Sequence, residues 1–209
     1  MRRSILRCEH LASHVADPHS DLARDAECHR SVGARFRAPV PGASNLWLFR
    51  ILCRGGARSR WIWDLVVGAD EEQDSGRVHL FSGATGQWLR SVHSSPEEEI
   101  GYFGYSIIGS EDLDGDGFGD VIVGALLEDP GDSPSNAGRV HIFSGATGAL
   151  IRAIPSPNET TDGQFGRCVL STPDFNGDEI ADVLVSSRNA YVEGVIHRGG
   201  WVHLLSGAT

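Results

Sequence analysis

An all-β fold assembled from repeated antiparallel units is what this sequence predicts, and three observations predict it. The stretch Gly76-Arg-Val-His-Leu-Phe-Ser-Gly-Ala-Thr-Gly86 returns as Gly138-Arg-Val-His-Ile-Phe-Ser-Gly-Ala-Thr-Gly148 and as Gly200-Trp-Val-His-Leu-Leu-Ser-Gly-Ala-Thr209, at offsets of 62 residues. An acidic nonapeptide, Asp112-Leu-Asp-Gly-Asp-Gly-Phe-Gly-Asp120, recurs at the same offset as Asp174-Phe-Asn-Gly-Asp-Glu-Ile-Ala-Asp182. Each copy runs directly into an apolar stretch, Val121–Ala125 or Val183–Val185. Finally, 26 glycines and the lack of a 3.6-residue apolar period over 64–209 favour turns and strands over helices. Self-similarity at a fixed period marks a repeat architecture.

Within the complete unit, four short strand signals are separated by turn chemistry. Tyr105–Ser110 comes first, then the acidic loop, then Val121–Leu126. A loop over Glu128–Ala137, rich in acidic residues, Pro and Gly, precedes the third strand, Arg139–Phe143. The turn Ser144-Gly-Ala-Thr-Gly148 leads to the fourth, Leu150–Ile154. Val140 and Ile142 point to one face of the third strand, His141 and Phe143 to the other. Four antiparallel strands with both faces partly apolar describe a propeller blade that packs on its neighbours. The first unit is shorter, with 12 residues from Asp64 to Gly76 against 18 for Asp120–Gly138 and Asp182–Gly200.

The nonapeptides place oxygen side chains at positions 1, 3, 5 and 9. A hard cation such as Ca²⁺ takes six to eight oxygens, which a tight loop with alternate residues turned inward supplies. The expected ligands of the first loop are Asp112, Asp114, Asp116 and Asp120, with the carbonyl of Phe118. Those of the second are Asp174, Asn176, Asp178 and Asp182, with the carbonyl of Ile180. Without a cation, four clustered carboxylates repel one another; the bland alternative is a solvated acidic turn. Glu179 stands where the first loop has Gly117, at a position requiring positive φ. With one formal charge fewer and a less permissive backbone, the second loop is expected to bind more weakly. The first unit has Gly56, Arg58 and Arg60 at positions 1, 3 and 5, so no site is expected there. No position-12 Glu supports an EF-hand.

These residues resemble the FG-GAP repeat of integrin α-subunit-type β-propellers. The Phe-Gly element is Phe103-Gly104 and Phe165-Gly166; the Gly-Ala element is Gly68-Ala69 and Gly124-Ala125, with Asp70 and Leu126 in place of the usual proline. In the third unit that element is Ser186-Ser187. The resemblance covers 64–209: a partial unit over 64–102, a complete one over 103–164, and a third over 165–209 that lacks its last strand. It implies calcium in the loops of several blades, an extracellular setting, and adhesion to a protein or extracellular-matrix-type ligand without catalysis. Seven blades usually close such a ring, so the sequence predicts an open, incomplete propeller of four-stranded blades that is a gene fragment or a piece needing further blades as partner. An accessory region of a secreted hydrolase is the alternative from another functional class, and a non-functional fragment is a third.

Residues 1–63 match none of this and are expected to be an irregular, Arg-rich segment, largely disordered over 1–45 apart from a short helix near Ser20–Cys28. Leu46–Cys53 is apolar enough for one strand or helix. A misassigned start or broken reading frame upstream of about residue 60 would produce such a segment. It carries 11 Arg against 5 Asp/Glu, whereas 64–209 carries 7 against 23. So acidic a repeat region excludes nucleic acid, whose phosphates require clustered cations. All 18 basic residues are Arg, which codon bias explains most simply. No apolar stretch reaches the roughly 20 residues needed for a membrane span, and the first ten residues lack the apolar core of a secretory signal. Cys8, Cys28, Cys53 and Cys168 show no paired spacing, against both a disulfide framework and a zinc site. His79, His141 and His203 occupy equivalent positions in separate units, so packing or hydrogen bonding is expected of them rather than a shared cluster. No His/Asp pair recurs beside the Ser-Gly-Ala-Thr turns, Glu97-Glu-Glu99 reads as a solvated loop, and Asn158-Glu-Thr160 fits a glycosylation sequon.

Overall fold

The structure, a computed structural model, describes residues 47–53, 62–95, 101–129, 135–189 and 199–208, all within one compact unit, Pro39–Thr209. The expectations for 1–45 and for the loop at 97–99 lie outside the described residues. Three antiparallel sheets follow one another in chain order. The first contains β1 (Trp47–Cys53), β2 (Ile62–Ala69), β3 (Arg77–Phe81) and β4 (Trp88–Val92). The second contains β5 (Phe103–Gly109), β6 (Val121–Ala125), β7 (Arg139–Phe143) and β8 (Leu150–Pro155). The third contains β9 (Phe165–Thr172), β10 (Asp182–Ser187) and β11 (Trp201–Leu205). Among the described residues there is no α-helix, only a 3₁₀ turn at Glu72–Asp74. The fold is all-β, an open and incomplete propeller.

The apolar segment that the sequence offered as strand or helix is β1, paired with β2 from Trp47↔Gly68 to Cys53↔Ile62. The first sheet therefore begins upstream of residue 64, where the repeat pattern becomes readable.

Alternation along each strand makes the second sheet a wall shared by two cores. Val121, Val123 and Ala125 face the first sheet, together with Val66, Val78, Leu80 and Val92. Ile122, Val140 and Ile142 face the third, together with Phe165, Val169, Val183 and Val185. This is why β6 is buried along its whole length and lacks a polar stripe.

The Phe-Gly and Gly-Ala elements form the two halves of one stacking contact. Phe103 and Phe165 are completely buried, and their N–H groups donate to the preceding unit, to the carbonyls of Ser75 at 3.1 Å and Ala137 at 2.9 Å. The glycines that follow adopt φ of +90° at Gly104 and +83° at Gly166, a region open chiefly to glycine. Their carbonyls lie against the bare Cα atoms of Gly68 and Gly124, where a Cβ would collide with them. In the third sheet the equivalent position is Ser186, and among the described residues nothing stacks beyond it. Val202 and Leu204 are 64% and 49% exposed there, whereas Val140 and Ile142, 62 residues earlier, are fully buried.

Two of the repeated histidines, His79 and His141, are tied to a glutamate within their own unit. His79 Nε2 lies 2.7 Å from Glu72, and His141 Nε2 lies 2.6 Å from Glu128, both members of the second pair being buried. Glu128, read from sequence as part of an acidic loop, is thus a core residue. His79 also bonds Ser91 Oγ through Nδ1 at 2.7 Å. The position opposite His141 is Ala153, and among the described residues His141 Nδ1 has no partner. An unmade buried hydrogen bond costs about 1–3 kcal/mol. Ala153→Ser is therefore expected to stabilise the chain by about 1 kcal/mol, read as a higher urea midpoint. An unchanged midpoint would argue against the Ser91-like contact. In the third unit residue 190 is Ala where the others have Glu; among the described residues His203 Nε2 has no partner, and desolvation holds this imidazole below its usual pKa.

Candidate metal centres

Each acidic loop is curled by its own side chains accepting N–H groups two to five residues ahead, the hydrogen-bonding habit of Asx turns. In the first loop Asp112 Oδ1 accepts from Gly115 (2.7 Å) and Asp116 (3.1 Å), and Oδ2 accepts from Gly117 (2.7 Å). Asp114 accepts from the Asp116 N–H at 3.0 Å, and Asp116 from the Phe118 N–H at 2.8 Å. The second loop repeats the ladder. Asp174 accepts from Asn176, Gly177 and Glu179 (2.7–3.0 Å), Asn176 from Asp178 (2.9 Å), and Asp178 from Ile180 (2.9 Å). The curl needs left-handed backbone at the same two places, Gly115 and Gly117 in one loop, Gly177 and Glu179 in the other. Glu179 at φ +69° bears the strain expected from the sequence, on the order of 1–2 kcal/mol for a residue with a Cβ.

The ladder brings one carboxylate oxygen each from Asp112, Asp114 and Asp116 within 4.8 Å of one another. In the second loop Asp174, Asp178 and Asp182 converge in the same way, and the Asn176 amide donates to Asp178 at 2.8 Å and to Asp182 at 3.3 Å. The donors are all oxygen, and a carboxylate oxygen that accepts one N–H keeps a second lone pair. That donor set suits a hard cation. Phe118 and Ile180 enter these ladders through their backbone N–H groups, and the Phe118 side chain is exposed.

Position 9 has a second role that sequence reading missed. Asp120 is fully buried and does not join the cluster of Asp112, Asp114 and Asp116. Its Oδ2 accepts from Leu113 N–H at 2.7 Å and its Oδ1 from Gly145 N–H at 3.1 Å. Asp182 does the same with Phe175 (2.9 Å) and Gly207 (3.4 Å). Asp64 accepts from Gly83 at 2.9 Å, although its unit has Gly and Arg at the other ligand positions. This aspartate therefore ties the second strand of a unit to its Ser-Gly-Ala-Thr turn whether or not the loop can hold a cation. Its survival at position 64 was the available signal.

Ser144 and Ser206 were also missed. Ser144 Oγ donates to Asp116 at 3.1 Å and Ser206 Oγ to Asp178 at 3.0 Å. The turn thus braces positions 5 and 9 together.

Burial pushes Asp120 up to about 6; N–H donation from Leu113 and Gly145 opposes this, while the charges of Asp114 and Asp116 add to it. The second loop differs. Asp174 is held below the usual carboxylate range by N–H groups of Glu179 and Gly177, and Asp178 by the Asn176 side chain and the Ile180 N–H.

The FG-GAP repeat model matches residues 103–143, which span β5, the first loop, β6 and β7. Integrin alpha-2 of Bos taurus is 32% identical over 158 residues, covering 68% of this chain. The chain belongs to the FG-GAP repeat family. Integrin alpha-PS3 of Drosophila melanogaster is 35% identical over 118 residues and integrin alpha-E of Mus musculus 31% over 133, covering 55% and 57% of the chain. The chain spans 10–13% of the length of these curated relatives. The complete FG-GAP unit thus combines stacking contacts, made by its Phe-Gly element toward the first sheet and its Gly-Ala element toward the third, with a loop-and-turn assembly.

Proposed function

We propose that this chain is a non-catalytic, calcium-binding β-propeller module for extracellular protein binding or adhesion. The observation that carries the reading is the duplicated ladder, which in each loop gathers three carboxylates around one point and braces them from the adjoining turn. A bound Ca²⁺ would supply charge neutralisation at that point. Asp112, Asp114, Asp116 and Asp120, with the Phe118 carbonyl, would hold it in the first loop. Asp174, Asn176, Asp178 and Asp182, with the Ile180 carbonyl, would hold it in the second. In both places the ion would link the pair of strands that the loop connects. The adhesion part of the reading rests on the integrin α relatives, and its partners are a protein or matrix-type ligand, or further blades.

Thermal unfolding in Ca²⁺ and in EDTA tests the proposal. A ligand that binds only the folded state adds about 2.7 kcal/mol per site at a hundredfold excess over Kd, so the melting temperature should rise clearly with Ca²⁺. An unchanged melting temperature would sink the calcium reading. At pH 7 the first loop, with one more carboxylate and no strained Glu, is expected to be the tighter. In that case Asp116→Ala removes the tighter phase of a Ca²⁺ titration and Asp178→Ala the weaker, and the reverse result overturns the ranking.

A further inference from the structure

The same long-range contact occurs twice, once at each junction between units. Arg90 on β4 of the first unit reaches the carbonyl oxygens of Gly145, at 3.5 Å, and Ala146, both in the turn of the second unit. Arg152, 62 residues later on β8 of the second unit, donates to Ser206 at 3.2 Å and Ala208 at 2.8 Å in the turn of the third. The Arg90 stem lies close over its turn, since a Cβ on Gly148 (φ +77°) would come within 2.8 Å of Arg90 Cδ. These turns are the ones whose Ser Oγ and Gly N–H hold Asp116 and Asp120 in one loop, and Asp178 and Asp182 in the other.

We infer that Arg90 and Arg152 are positioning residues for the cation loops of the unit that follows each of them. The inference rests on the calcium reading above. In both arginines one terminal nitrogen, Nη1, bridges two carbonyls, and the rigid guanidinium plane fixes the direction of its N–H groups, whereas an ammonium turns freely on a flexible stem. The arginine fixes the turn, the turn fixes the carboxylates at positions 5 and 9, and the affinity of a loop then depends on the preceding unit being stacked against it. Linkage makes the effect reciprocal: a cation bound in one loop tightens the junction with the unit before it.

Calorimetric titration of CaCl₂ into the full chain tests this, with Asp178→Ala isolating the first loop and Asp116→Ala the second. Arg90→Lys keeps the charge and removes the planar group that orients Nη1 toward the two carbonyls. It is expected to weaken the first loop about fivefold, the scale of one net hydrogen bond, and to leave the second loop within twofold. Arg152→Lys should do the opposite. Loss of affinity in both loops from either substitution would indicate general destabilisation and overturn the inference, as would affinities unaffected by both. If Arg90→Lys fails to fold, Arg152→Lys tests the same rule independently at the other junction. An unmodified chain that binds no Ca²⁺ overturns the calcium reading and this inference together. Binding that is insensitive to both arginines overturns this inference alone.

Discussion

Gly124→Ala is expected to loosen the junction between the second and third units and to lower stability by about 3 kcal/mol, the upper end of the usual range for overpacking. The added Cβ would collide with the Gly166 carbonyl and with Ser106 Oγ. The first obstacle is backbone, so relief requires the third sheet to move away. That movement would open the core formed by Ile122, Val140, Ile142 and Phe165. The melting temperature should fall by roughly 6–12 °C for a domain of this size. Gly115→Ala is the contrast: Gly115 is left-handed at φ +81° whereas Gly124 is extended strand, and nothing lies within 4 Å of a Cβ added at 115. It should cost only about 1–2 kcal/mol of backbone strain. A loss at 124 no larger than that at 115 would overturn the close-approach account, because the extended backbone of Gly124 needs no glycine for its conformation.

Calcium affinity in the first loop is expected to fall about tenfold between pH 7 and pH 5, while affinity in the second changes little. Asp120 titrates near 6 in the folded, metal-free chain, against 3.8 for an unperturbed aspartate. Below pH 6 a proton must leave before the loop carries its full charge, and each further pH unit then costs about a factor of ten. Asp174 and Asp178 are held below the usual range and stay ionised. Stability in EDTA should move the opposite way with pH for Asp120. The contribution of Asp120 is lost as pH rises from about 4 through 6, because the folded state holds a proton that the unfolded chain has released. The contributions of Asp174 and Asp178 are present above 3.8 and are lost as pH falls below it. Titrations of the single-loop variants at both pH values check this, and equal first-loop affinities at pH 7 and pH 5 would refute it.

Much of the fold was legible because its signals are local. The strand β7, Arg139–Phe143, was read with its observed limits from alternation and flanking turn residues, and β6 and β8 within one residue at an end. The 3.6-residue apolar period of a helix was missing over the repeats, and no α-helix occurs there among the described residues. The start of the first sheet was less legible, because β1 has no counterpart motif in the sequence to anchor it. Within the loops, the left-handed position of Glu179 was visible from its alignment with Gly117. The burial of Asp120 and Glu128 was not, because a carboxylate's depth depends on what folds over it.

What the sequence by itself determined is the content of each unit: the 62-residue period, the strands, the Asx-rich loops and the Ser-Gly-Ala-Thr turns. Backbone sterics and side-chain-to-backbone hydrogen bonds act over a few residues and leave direct traces in composition and spacing. The tertiary structure alone decided how the units meet: the Gly166 carbonyl against Gly124, Glu128 beneath His141, Ser144 on Asp116, and Arg90 on the next unit's turn. These partners lie 13–56 residues apart in the chain, and several of them belong to different sheets. Their juxtaposition follows from packing one twisted sheet on another, and nothing in local residue order encodes it.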